Sequence, residues 1–302
     1  MNYYYIHPFK PQYFFPETFK KHAVFISFFK PYTLIGKISW ALFKNLYLYR
    51  VCFGKSNIEA FIPEKEIRKI IGVEALMAFN IGTPGPEQKI TGLGWDKNNY
   101  FFIKHAQTPL SINNVVNEYH ILRQLSTLNF VPKIQSFHQD EKQVLLKTDV
   151  LMGTRLGNVP LSEKILNCLH TLAEFSIILD NKVASSLKLV FAHGDFCPWN
   201  MMEQNGQILL FDWEMGKNYP LGYDLFTFLF QTKFLLEPEK LIPYILSENR
   251  DIIDQYFHHY KIYEWNKYLL AFSKEKVSLE SKKEGKGMLS QYKILLDYVE
   301  KA

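Results

Sequence analysis

Cysteine is scarce in this chain, with Cys52, Cys168 and Cys197 the only three in 302 residues. An odd number without CxxC spacing argues against a disulfide framework or a cysteine zinc site, and it fits a reducing cytoplasm. A dense stripe of Lys and Arg is also missing. The formal net charge of +5 is spread along the chain, so no nucleic-acid partner is expected. Neither a repeat of fixed period nor a low-complexity stretch is present, which sets aside solenoids and long linkers. The opening MNYYYIHPFK lacks a basic region followed by an apolar run and does not read as a secretory signal. No G-x-G-x-x-G loop occurs either. Gly82, Gly85, Gly92 and Gly94 fall between strand candidates without forming it, and Gly82 to Pro86 reads equally well as a hairpin turn.

What is present is an ordinary globular balance, 47% hydrophobic and 22% charged, at a length that can bury a large core in one domain or two lobes. Aromatics are the exception at 16%, concentrated in the first fifty residues as YYY, YFF, SFF and YLY. One apolar stretch, Thr33 to Phe53, approaches the length of a membrane span, but Lys37, Lys44 and Arg50 interrupt it at depths where charge is costly. Ile35, Ile38, Leu42, Leu46 and Tyr49 recur at helical spacing. The expectation is an amphipathic helix packed on the protein's own body, with peripheral contact to a membrane surface as the alternative.

Residues 61–78 read as a short helix running into strand material, and Tyr100 to Lys104 as a strand. Ser111 to Leu125 reads as a helix capped by Ser111, followed by strands at Lys133 to His138 and Gln143 to Val150. Beyond Leu151 the character changes. Ser162 to Asp180 is expected as a helix, Ser186 to Ala192 as a short strand, and the chain beyond Leu221 as helical, with an exposed charged stretch from Lys274 to Lys286. This order predicts an α+β fold of two lobes. The expected division is an aromatic-rich N-terminal extension over residues 1–60, a small β-rich lobe over 61–150, and a larger helical lobe over 151–302.

The chemistry concentrates between His193 and Glu214. Phosphoryl transfer requires a carboxylate to orient the attacking hydroxyl, metal ligands to tie the phosphates, and a cation for the nucleotide. In HGDFCPWNMM, which opens on His193, Asp195 precedes Asn200 by five residues, the spacing of a kinase catalytic loop. Asp212 ends the aliphatic strand ILLFD, seventeen residues after Asp195, where a second metal ligand is delivered.

HGDFCPWNMM and LLFDWE together resemble the aminoglycoside phosphotransferase and choline kinase superfamily. That resemblance implies a protein-kinase-like fold, a small β-rich lobe and a larger helical one. It further implies Asp195 as catalytic base with His193 as a second catalytic residue, Asn200 and Asp212 as magnesium ligands, and ATP, with GTP as alternative, as donor. It matches Lys104, at the end of the strand YFFIK, to the family's phosphate lysine and Glu118 to its helix partner. The segment LLKTDVLMGTRL resembles the family hinge, so adenine recognition is expected from the backbone of Thr148, Asp149, Val150 and Leu151. PLGYDLFTFLF resembles the segment in which Asp224 braces the catalytic loop; N-capping of the following helix is the other reading.

Departures from the family lie in the same core. Cys197 and Trp199 stand where many relatives carry His and Gly. Cys197 reads as a small buried apolar residue, whereas Trp199 either walls the acceptor pocket or packs on the large lobe. Glu214 in DWE is like the choline kinases' D-F-E, and it either reaches the metal or is structural. The expected activity is transfer of the γ-phosphate to a hydroxyl of a small molecule: a sugar, a sugar-lipid precursor or an amino alcohol. The alternative is a pseudokinase that acts as a nucleotide-binding scaffold. A protein kinase fits worst, because D-F-G and A-P-E are missing.

Overall fold

The structure is a computed structural model that describes residues 2–6, 11–31, 34–53, 55–56, 58–72, 74–176, 186–282 and 287–301. The chain forms two compact units, Met1–Ser126 with Pro132–Val150, and Thr127–Val131 with Leu151–Ala302.

The first unit is built on one antiparallel sheet. Its strands are β1 (Tyr3–Tyr5), β2 (Tyr13–Pro16), β3 (Lys55–Ser56), β4 (Leu76–Asn80), β5 (Lys89–Trp95), β6 (Tyr100–Ala106), β7 (Ile134–Gln139) and β8 (Val144–Asp149), in the spatial order 3-1-2-4-5-6-8-7. Helices α1 (Ala23–Ser27), α2 (Leu34–Asn45), α3 (Tyr47–Phe53), α4 (Glu64–Ile71) and α5 (Pro109–Gln124) accompany it. The first sixty residues, expected as an extension, thus supply three strands of the sheet. Their consecutive aromatics have a simple cause: neighbouring side chains on a strand point to opposite faces, and both faces here are covered. On one face Tyr3, Phe14, Met77 and Phe79 pack with Ile58, Ile62 and Ile67. On the other Tyr4, Phe15 and Ala78 pack with Phe19, Phe25, Trp40 and Phe43.

A buried polar network pins β1 to α4. The Tyr3 hydroxyl donates to Glu64 Oε1 at 2.7 Å, and Arg68 donates to the same oxygen at 2.7 Å, to the Tyr3 oxygen at 2.9 Å and to the Ala75 carbonyl at 2.6 Å. Burial pushes the Tyr3 hydroxyl pKa well up, so it stays a donor.

Two local expectations are corrected. Helix α5 is capped by Thr108, whose hydroxyl accepts from the Ser111 N–H in a capping box with Pro109 at the first helical position; Ser111 is the third residue of the helix. In α2 the face expected against the protein points outward. Ile35 is 70% exposed and Ile38 53%, while Trp40 and Phe43 are buried, stacked on each other at 5.6 Å. A twelve-residue helix lays one stripe on a sheet, and the larger rings bury more area there. Arg50 also has a local role. Its Nη1 donates to the Phe43 carbonyl at 2.6 Å and the Lys44 carbonyl at 3.2 Å, satisfying groups that the end of α2 leaves without partners. Among the described residues no helix is long and apolar enough to cross a membrane.

The second unit is mostly helical: α6 (Glu163–Glu174), α7 (Tyr223–Phe226), α8 (Thr232–Leu236), α9 (Ile242–Glu248), α10 (Arg250–His259), α11 (Asn266–Ser281) and α12 (Leu289–Lys301). A π-helical turn, Thr227–Gln231, joins α7 to α8. The helix expected to reach Asp180 ends at Glu174, and residues 177–180 lie outside the described residues. Strands β9 (Thr154–Arg155), β11 (Met201–Gln204) and β12 (Gln207–Leu210) form one small sheet, and β10 (Leu189–Ala192) pairs with β13 (Lys217–Pro220) in another. The stretch from Lys274, expected to be exposed, instead buries Lys276 and Glu280; residues 283–286 lie outside the described residues.

Removing Arg68 leaves Glu64 buried without its cation. Arg68→Ala is therefore expected to lower stability by about 3 to 5 kcal/mol, read from the urea unfolding midpoint.

Candidate functional site

In the second unit the loop after β10 carries the sequence motif, and its shape follows from one buried carboxylate. Asp224 Oδ2 accepts the backbone N–H of His193 at 2.6 Å and Oδ1 that of Gly194 at 2.9 Å. Burial pushes the Asp224 carboxyl pKa up, opposed by those two N–H donors and by the charge of Lys276. Asp224 thus braces the loop and caps no helix. Gly194 sits at φ +85°, and a Cβ there would run into the Met215 carbonyl, so both conformation and space require glycine.

His193 was expected as a catalytic residue, but it is fully buried and both ring nitrogens are in use. Nε2 lies 3.0 Å from the Phe211 carbonyl, which can only accept, and Nδ1 lies 3.3 Å from the Asp195 N–H, which can only donate. That pattern selects the neutral Nε2–H tautomer and makes His193 a tie between loop and strand.

Asp195 is half-buried with each carboxylate oxygen held by an amide. Asn200 Nδ2 donates to Oδ2 at 2.8 Å and to the Asp195 carbonyl at 2.9 Å, while Gln231 Nε2 donates to Oδ1 at 2.6 Å. The Cys197 thiol lies 3.7 Å from Oδ1. Burial pushes that thiol pKa well up, so it stays protonated, in keeping with the buried apolar residue expected. With Nδ2 turned to Asp195, the side-chain oxygen Oδ1 of Asn200 is the atom that could hold a cation. Asp212 is brought beside it by the β11–β12 hairpin. Met201 pairs with Leu210, the Phe211 N–H donates to the Asn200 carbonyl at 3.2 Å, and Asp212 follows in the left-handed region at φ 70°. Trp199 is half-buried, as is Glu214 in the turn Trp213–Met215.

Gln231 and Lys276 were not anticipated. Lys276 Nζ lies 3.0 Å from Gln231 Oε1, and the Tyr292 hydroxyl donates to the same oxygen at 3.3 Å. An ammonium only donates, so it fixes the amide with Oε1 inward and Nε2 toward Asp195. Rings of Tyr223, Phe272 and Tyr292 lie 5.0, 5.7 and 5.9 Å from the buried Nζ. These residues fall 36 and 81 positions after Asp195, and no local pattern marks them. The hairpin did have a signal: Asn205-Gly206, both at positive φ, is a two-residue turn that predicts the neighbourhood of Asn200 and Asp212.

In the first unit Lys104 and Glu118 meet as expected. Lys104 on β6 reaches Glu118 on α5 at 2.5 Å, both side chains buried. His105 on the opposite face bonds Gln143 at 2.8 Å. Gly92 and Gly94 lie within β5, opposite Ile103 and Phe101, whose side chains occupy the space of a Cβ; they serve cross-strand packing. The backbones of Thr148 and Asp149, expected to face adenine, are committed to the sheet. Thr148 pairs with Phe102 and Ile134, and the Asp149 N–H donates to the Lys133 carbonyl at 2.9 Å. Val150 and Leu151 follow, where the chain passes from one unit to the other.

Burial of Cys197 and of Cys168, whose pKa is pushed up to about 12, leaves Cys52 as the exposed thiol. A maleimide is expected to label one cysteine per native chain and three after denaturation, counted by mass.

Residues 120–240 match the model of the "Phosphotransferase enzyme family", a span that contains Asp195, Asn200, Asp212, Asp224 and Gln231. No curated protein matches the sequence. Among solved structures, "Amicoumacin kinase hAmiN in complex with AMP-PNP, Ca2+ and Ami" is similar at TM-score 0.52 and 11% identity, over 80% of this chain and 95% of that one. A thermostable mutant of aminoglycoside phosphotransferase APH(4)-Ia is similar at TM-score 0.53 and 10% identity, over 78% of this chain and 97% of that one. The fold is protein-kinase-like, with an antiparallel-sheet unit and a helical unit, and the resemblance to the phosphotransferase enzyme family is borne out over residues 120–240.

Proposed function

We propose that the protein transfers the γ-phosphate of a nucleoside triphosphate to a hydroxyl group of a small molecule. The observation that carries this reading is the Asp195 carboxylate, held at both oxygens by the amides of Asn200 and Gln231 on a loop braced by Asp224. A carboxylate so fixed can orient a hydroxyl and accept its proton as the hydroxyl oxygen bonds to phosphorus; the bond from phosphorus to the bridging oxygen breaks, and the nucleoside diphosphate leaves. Lys104, set by Glu118, is the cation for the donor's phosphates. His193 holds the loop.

The Asn200 side-chain oxygen Oδ1 and the Asp212 carboxylate are hard oxygen donors on adjoining hairpin positions, a set that suits Mg²⁺. When bound there, the ion would neutralise phosphate charge. The amicoumacin kinase is a complex with AMP-PNP and Ca²⁺, which supports an adenine nucleotide and a divalent cation here. The acceptor is proposed as a sugar, a sugar-lipid precursor or an amino alcohol. At 10 to 11% identity the antibiotic kinases lend this chain their fold and not their acceptor.

The test is a phosphoryl-transfer screen with ATP and GTP across sugars, amino alcohols and aminoglycosides. Turnover that falls about 100- to 10,000-fold in Asp195→Asn, with nucleotide affinity kept, is expected. Nucleotide binding without turnover on any hydroxyl would point to the scaffold instead. Gln231→Met removes one donor from Asp195 and its link to Lys276; kcat is expected to fall at least about tenfold with little change in nucleotide Kd.

A further inference from the structure

We propose that α2 and α3 form a docking face for an anionic lipid bilayer. Eight of the eighteen large apolar side chains exposed among the described residues lie between Leu34 and Val51: Leu34, Ile35, Ile38, Leu42, Leu46, Tyr47, Leu48 and Val51. Leu34, Ile38, Leu42 and Leu46 repeat every fourth residue and so form one outward stripe. The interior of the unit does not need them, because Trp40 and Phe43 already fill the sheet side of α2. An apolar surface of this extent marks an interaction site, not scattered surface hydrophobicity.

Charge identifies the occupant. Between Glu17 and Glu59 the sequence has no Asp or Glu, yet it carries Lys20, Lys21, Lys30, Lys37, Lys44, Arg50 and Lys55. Arg50 is used on the carbonyls that end α2, whereas Lys20, Lys21, Lys30 and Lys37 are exposed. Apolar residues flanked by lysines, with no acid over forty-one positions, match a lipid surface of negative charge: the side chains enter the acyl boundary and the ammonium groups stay at the phosphates. The geometry fits lying on a bilayer. At about 1.5 Å per residue the twelve residues of α2 reach about 18 Å, short of the roughly 30 Å hydrocarbon core. This surface is distinct from the residues assigned to phosphoryl transfer, and its test reads no turnover.

Cys52 on α3 is the exposed native thiol, so the full chain can carry an environment-sensitive fluorophore there without substitution. Vesicles of phosphatidylcholine with phosphatidylglycerol are expected to shift its emission to the blue and to co-sediment with the protein; pure phosphatidylcholine should do so at least about tenfold more weakly. Salt near 1 M should weaken the binding. Ile38→Asp with Leu42→Asp, and separately Lys30→Glu with Lys37→Glu, should each weaken it at least about tenfold while the melting temperature and circular dichroism stay near the parent's, since all four side chains are solvent-facing. The proposal is overturned if neither vesicle binds, or if both bind equally and without salt dependence. It is overturned too if ultracentrifugation shows a concentration-dependent dimer, lost in Ile38→Asp with Leu42→Asp, and no vesicle association.

Discussion

The second unit depends on placing one carboxylate, Asp224, in a buried position. Burying a carboxylate is unfavourable unless donors surround it, and here the donors are the backbone N–H groups of His193 and Gly194, with Lys276 supplying opposite charge nearby. The same two bonds that make Asp224 tolerable fix the backbone that presents Asp195. Gly194 is held at positive φ against Met215, and His193 is turned so that its ring spans Phe211 and the Asp195 N–H. The loop is rigid because removing any one of these ties would strand another buried polar group.

From that loop the polar network runs inward. Asp195 is held by Gln231, and Gln231 in turn by Lys276 and Tyr292, under the rings of Tyr223 and Phe272. A lysine that cannot accept a hydrogen bond decides which end of a neutral amide faces the carboxylate, so a charge on α11 sets the orientation of a group on the π-helical turn. The first unit uses the same device at the Tyr3, Glu64 and Arg68 cluster, where a buried ionic group fixes one strand against one helix. In both places the polar group selects one geometry within an otherwise apolar interior.

The aromatic residues of the first fifty positions show how one sequence feature can carry two meanings. Tyr3, Tyr4, Phe14 and Phe15 are core, sent alternately to the two faces of the sheet. Eight apolar side chains from Leu34 to Val51 are not, and those on α2 face solvent because that helix has already covered the sheet with Trp40 and Phe43. Apolar periodicity reports that a face exists. Which of two apolar faces turns inward depends on the shape of what it must cover.

Much of the site was legible because local chemistry demands local spacing. The five residues from Asp195 to Asn200 and the aliphatic strand before Asp212 are properties of a loop and a hairpin, and Lys104 on its strand with Glu118 on the next helix is nearly as local. Asn205-Gly206 carried the hairpin too, as a turn that only residues tolerant of positive φ can form. His193 looked catalytic by position; only the contacts showed both of its nitrogens engaged. Gln231, Lys276 and Tyr292 left no trace in the sequence, since a residue dozens of positions away becomes a neighbour of Asp195 only through the packing of helices. The sequence by itself determined the loop that carries Asp195, the hairpin that carries Asn200 and Asp212, and the two-unit fold, because these rest on short-range spacing and strand-helix order. Tertiary structure alone decided which groups hold that carboxylate and which apolar face stays outside, because both follow from the volumes and charges that distant segments bring to one place.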